Sequence, residues 1–133
     1  MTTRTAACSC GSLTAQCEGE PVRISMCHCE ACQRRTGSAF GVQARFPREH
    51  VTIAGKASRF ARIAESGNTI TYGFCPACGS TLFWEGTGFP DLIAVAVGNF
   101  ADPDFPSPRI SVYEGKRHPW AMEPAGLDME HHD

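Results

Sequence analysis

The chain reads as one mainly β domain, and three observations say so. Short runs of alternating apolar and polar residues recur from Leu13 to Tyr113, the period of half-buried strands. Thirteen glycines and nine prolines are spread along 133 residues, so turns are frequent and long helices are not expected. Composition, 42% hydrophobic and 20% charged, is that of a globular chain of single-domain size. The spacing predicts a domain over residues 1–123 and a polar, fraying tail over 124–133.

Taken in order, Leu13, Ala15 and Cys17 alternate with Thr14, Gln16 and Glu18 as a first strand. Val22 to Met26 runs into Cys27, and Gly41–Phe46 and Val51–Ile53 are strands parted at Pro47. Phe60–Ala64 alternates before the turn Ser66-Gly67-Asn68. Thr69–Phe74 then delivers Cys75, and Thr81–Trp84 leaves Cys78, with the Thr, Ile, Tyr and Phe content strands favour. Leu92–Val97 is an apolar run expected to be buried on both faces, and Ile110–Tyr113 follows the proline-rich loop 102–108. Glu30 to Thr36, ended by Gly37, is the one predicted helix.

Charge and hydropathy exclude some partners. A net charge of −2 and a pI near 6.2 argue against nucleic acid or an anionic membrane. No apolar stretch approaches the roughly 18 residues of a membrane span. Met1 to Thr5 lacks the apolar run of a secretory leader, so the expected location is cytoplasmic, where thiols stay reduced.

Seven of eight cysteines fall in three groups: Cys8-x-Cys10-Gly11, Cys27-x-Cys29-x-x-Cys32 and Cys75-x-x-Cys78-Gly79. Such close neighbours pair poorly as disulfides, yet a tight turn can aim two sulfurs at one ion about 2.3 Å away. Two pairs make a closed four-sulfur site, so Cys8, Cys10, Cys75 and Cys78 are assigned a structural zinc that clips the domain across a long loop. Cys27, Cys29 and Cys32 form a three-ligand site with an open fourth position, the pattern of catalytic zinc. An added thiol held there would be a thiolate nucleophile. The alternatives are a reduced, metal-free cluster, or a site completed by His28 or another cysteine. His28 lies between two ligands, so its ring is expected to point away from their ion. Cys17, on a strand face with Leu13 and Ala15, is expected in the core.

These groups, with the flanking Gln33-Arg34-Arg35-Thr36-Gly37-Ser38 and Phe74 and Ser80, resemble the glutathione-dependent formaldehyde-activating enzyme family, which includes centromere protein V. The resemblance runs from about Cys8 to Trp120. It implies a β-tent of small twisted antiparallel sheets, two zinc ions divided as above, and a carbon–sulfur lyase reaction. In that reaction formaldehyde condenses with glutathione to S-hydroxymethylglutathione. Lys116-Arg117-His118-Pro119-Trp120 matches the family's ending only loosely.

On this reading a small-molecule thiol and an aldehyde are the partners, and the sequence leaves the oligomeric state undefined. Arg34 or Arg35 would pair with a substrate carboxylate, or else balance the thiolate charge. Thr36 and Ser38 suit helix-end hydrogen bonds better than catalysis, and His118 suits a surface role. Trp84, Trp120, Phe40 and Phe83 are expected to build the core, and Glu130 to Asp133 a solvated tail. The competing class is a non-catalytic structural zinc module that binds another protein.

Overall fold

The computed structural model describes residues 1–133. Its strands are β1 (Thr3–Ala7), β2 (Thr14–Glu18), β3 (Arg23–Cys27), β4 (Gly41–Pro47), β5 (Val51–Ala54) and β6 (Ser58–Ile63). They continue as β7 (Thr69–Phe74), β8 (Thr81–Gly86), β9 (Leu92–Ala96), β10 (Ile110–Val112) and β11 (Glu130–His131). One helix, α1 (Glu30–Thr36), stands between β3 and β4 and ends at Gly37, as its sequence predicts. The fold is mainly β, with β1-β2-β5 in a small sheet and β11-β10-β3-β4-β9-β8-β7-β6 in a large one.

Alternation along the strands gives the large sheet two different faces. Ala44 and Phe46 of β4 and Ile93 and Val95 of β9 point toward the small sheet, where they meet Ala6, Leu13, Ala15 and Cys17. Phe46, Phe83, Leu13 and Leu82 are fully buried there, each worth about 2 kcal/mol of apolar transfer. Cys17 is wholly buried, and loss of hydration pushes its thiol up to about 11, as befits a core residue. The opposite face carries the residues of the other parity: Cys27 of β3, Gln43 and Arg45 of β4, Ala94 of β9, Trp84 of β8 and Tyr72 of β7. That face lines an open cleft of about 1900 Å³.

Five features depart from the sequence expectations. Thr3–Ala7 forms β1, paired antiparallel with β2, although Thr-Arg-Thr-Ala-Ala has only weak apolar alternation. The short β10 joins β3 in parallel rather than antiparallel, because the loop at 102–108 carries the chain back to the start of that edge. Trp120 is 68% exposed instead of buried, and Val97 opens a 3-10 turn rather than ending β9. The last residues do not fray: β11 pairs in parallel with β10, and Met129 beneath it is buried.

Charge anchors this last strand as well as backbone bonds. His131 lies 2.9 Å from Glu114 through Nδ1 and 2.9 Å from Glu123 through Nε2, while Arg117 shares the Glu114 carboxylate. The Glu114 contact raises the His131 pKa above 6.5. Contacts with His131, Ser111 and Arg117 outweigh burial and hold Glu114 below 4.5. A raised histidine contributes fully below its unfolded value and fails as pH rises through the folded one; a lowered carboxylate does the reverse. Docking of β11 is therefore strongest between about pH 4.5 and 6.5. Amide protection factors at residues 130–132 should fall as pH rises through the His131 titration, and protection factors flat from pH 5 to 9 would contradict this.

Candidate metal centres

The four-cysteine cluster is made by two similar turns brought together by the sheets. In the β1–β2 turn, Cys8 N–H donates to Leu13 O, Gly11 N–H to Cys8 O, and Leu13 N–H to the Cys8 sulfur at 3.3 Å. In the β7–β8 turn, Cys75 N–H donates to Ser80 O, Gly79 N–H to Cys75 O, and Ala77 N–H to the Cys75 sulfur at 3.4 Å. Gly11 and Gly79 close these turns at φ 82 and 80, a left-handed conformation that other side chains resist. The Ser9 and Ser80 hydroxyls, 3.1 Å apart, lace one turn to the other.

Cys10 Sγ lies 3.7 Å from Cys8 Sγ and 3.6 Å from Cys75 Sγ. A tetrahedron with metal–sulfur bonds of about 2.3 Å has edges of roughly 3.8 Å, so the spacing fits one ion. Ser12 Oγ sits 3.3 Å from Cys75, and its hydrogen bond is the main cause of a lowered Cys75 pKa. The Ser80 hydroxyl is likewise the main reason Cys78 falls to about 5. Thiolate is the ligand form, and the β7–β8 turn favours it at Cys75 and Cys78.

The second cluster closes the end of β3. Cys27, Cys29 and Cys32 have sulfurs within 4.8 Å of one another, with Cys27 and Cys32 buried and Cys29 half-buried. Cys29 is the N-cap of α1, its sulfur accepting the Cys32 N–H at 3.3 Å. Hydrogen bonds from the Cys27 and Cys32 thiols pull Cys29 down to about 2, and the bond it donates to Cys29 chiefly holds Cys27 up. Both clusters could hold a metal ion.

His28 belongs to the other face, as its position between two ligands predicts. Its Nε2 lies 3.0 Å from Ser111 Oγ, and its ring packs 5.7 Å from Phe40. His118 bonds Gln33 Oε1, and Thr36 Oγ1 donates to Cys32 O at the helix end. Neither histidine lines the cleft.

The two arginines of α1 differ. Arg34 is exposed at the cleft rim and pairs with Glu30 at 3.6 Å. Arg35 turns inward, with its guanidinium 4.3 Å over the Trp84 ring. It crosses Gly41, where a Cβ would stand 2.5 Å from Arg35 Nη2, so a side chain at this strand position would displace the guanidinium. Trp84 is buried as expected, yet it lies on the cleft face and forms part of its wall.

The sequence reading missed the cations contributed by the strands. Arg62 of β6 donates to the Tyr72 hydroxyl at 2.9 Å, and Arg23 and Arg45 line the same cleft. The signal was present for one of them. Arg23, Ser25 and Cys27 share one strand parity, so a face bearing Cys27 must bear Arg23.

A mainly β chain with a closed four-thiol cluster and a three-thiol cluster opening on a cationic cleft defines a class of cysteine-organised metal-site proteins. The chain belongs to the glutathione-dependent formaldehyde-activating enzyme family, whose profile matches residues 3–116. A Penicillium rubens protein named "Putative glutathione-dependent formaldehyde-activating enzyme" is 24% identical over 130 residues, covering 85% of this chain and 68% of that one. A crystal structure of a Rhodobacter sphaeroides protein superposes with a TM-score of 0.57 at 18% identity, covering 71% of this chain and 85% of the other. That likeness concerns the fold.

Proposed function

We propose that this chain is a cytoplasmic, zinc-dependent carbon–sulfur lyase that joins a thiol such as glutathione to a small aldehyde such as formaldehyde, and releases it again. The observation that carries the reading is the three-sulfur cluster itself, half-open through Cys29 at the end of a cation-lined cleft. Family membership, with a name that specifies glutathione and formaldehyde, supports the same chemistry.

In this reading Cys8, Cys10, Cys75 and Cys78 hold a structural zinc, and Cys27, Cys29 and Cys32 hold a second. The second zinc, when bound, lowers the pKa of an added thiol so that it is thiolate at neutral pH. The chain's own groups do the rest. Three thiolates around a dication leave excess negative charge, which Arg35 and Arg62 offset from two sides of the cluster. The substrate sulfur adds to the aldehyde carbon, the C=O π pair moves to oxygen, and the thiol's proton ends on that oxygen. Arg35, its guanidinium 4.3 Å over the Trp84 ring in the cleft wall, supplies positive charge beside the place where that oxygen's charge develops. Arg34, on the rim, is placed to meet a substrate carboxylate.

The test is exchange spectroscopy with 13C-formaldehyde and glutathione. Wild-type protein should speed the exchange above the uncatalysed rate by at least about tenfold, and chelator-treated protein should not. Wild-type exchange at the uncatalysed rate, with metal bound at both clusters, would leave the structural zinc module as the correct reading.

A further inference from the structure

On the cleft face of the large sheet, Arg23 and Arg45 are direct cross-strand partners. Like charges so placed repel, and neither guanidinium makes an ion pair within the chain. Glu20, which lines the cleft close by, is taken by Arg4 at 3.2 Å. Arg45 is fixed in place by the Phe89 ring, 4.7 Å from its guanidinium carbon. Burial first, and then the Arg23 charge, hold the Arg45 pKa below its usual value, so the pair is costly to keep without an anion.

The strain continues along the same two strands. Ser25 faces Gln43 in the next rung, and Cys27 faces Gly41, over which Arg35 lies, in the one after. Six buried polar side-chain atoms lack a hydrogen-bond partner, and five lie on this strip: Arg23 Nε, Ser25 Oγ, Gln43 Oε1, and Nε and Nη2 of Arg35. Unpaired buried donors and acceptors are rare in folded chains and call for a missing partner. Of the residues that carry them, Arg23, Arg35 and Gln43 line the cleft between the cysteine triplet and the arginine pair.

We propose that Arg23 and Arg45 form a subsite for the carboxylate at the far end of a peptide-like thiol whose sulfur lies at the cysteine triplet. The proposal rests on the function proposed above and specifies its substrate. Arg23 and Cys27 are four residues apart on one strand, about 13 Å at 3.3 Å per residue. A short thiol acid such as thioglycolate cannot span that distance. A thiol with its carboxylate several bonds away can.

Calorimetry on the reduced, metal-loaded chain tests this with three probes. Glutathione carries thiol and carboxylates, S-methylglutathione keeps the carboxylates without a free thiol, and mercaptoethanol has a thiol alone. In the Arg23→Gln/Arg45→Gln double variant, affinity for the first two should fall about tenfold or more, and mercaptoethanol binding should not change. The ligand-free variant should melt no lower than wild type, because a repulsion has been removed. Unchanged glutathione affinity would overturn the proposal. So would a lowered melting temperature with equal loss of all three probes, the mark of a structural pair. If mercaptoethanol fails to bind wild type while S-methylglutathione binds through the arginines, the subsite stands and the thiol-at-triplet reading falls. If Cys29→Ser removes glutathione binding that the arginine variant keeps, the reading stands and the subsite falls.

Discussion

Cys75→Ser should melt at least roughly 15 °C below wild type, or fail to fold, and chelation should do the same to the unaltered chain. The reason is topological. Cys8 and Cys10 sit in the small sheet's turn and Cys75 and Cys78 in the large sheet's, so an ion held by all four would bridge the two layers across about half the sequence. Closing so long a loop removes much of the unfolded chain's freedom. A structural zinc in a small domain contributes on the order of 10–16 kcal/mol, against a total stability of about 5–15 kcal/mol for a typical domain. The apolar layer between the sheets, with Phe46, Leu13 and Leu82, offsets part of the loss but does not replace the clip. A variant melting within a few degrees of wild type would show that this layer suffices alone.

Cys29→Ser should behave in the opposite way. Metal at the triplet and thiol–aldehyde exchange above background should both be lost, while the melting temperature shifts by only a few degrees. Serine is among the preferred N-cap residues, so the bond that Cys29 accepts from the Cys32 N–H survives the change. What disappears is the sulfur that the other two thiols drive toward thiolate. Circular dichroism and elemental analysis of the same sample check the two halves together. Turnover retained in a folded Cys29→Ser protein would remove the triplet from the chemistry.

Much of this architecture was legible because its signals are local. The strands flanking Cys75 and Cys78 alternate plainly, and α1 ends where Gly37 must end it. Cysteine spacing divides four sulfurs from three, and the folded chain gathers those same two groups. What stayed hidden depends on long-range pairing. β1 owes its strand to β2 rather than to its own residues, and the tail is ordered by a histidine whose carboxylate partners are remote in sequence or outside its strand. Trp120 looks like a core residue by type, yet it comes after the last core strand and lies on the surface. The cleft's cations come from β3, β4 and β6, and only sheet order places them on one face.

The most direct measurement is zinc per chain, by elemental analysis of wild type and Cys29→Ser purified under reducing conditions without chelator. Two ions in wild type and one in the variant is the predicted result. One ion in each, with both proteins folded, would contradict a metal at the cysteine triplet and with it the proposed chemistry.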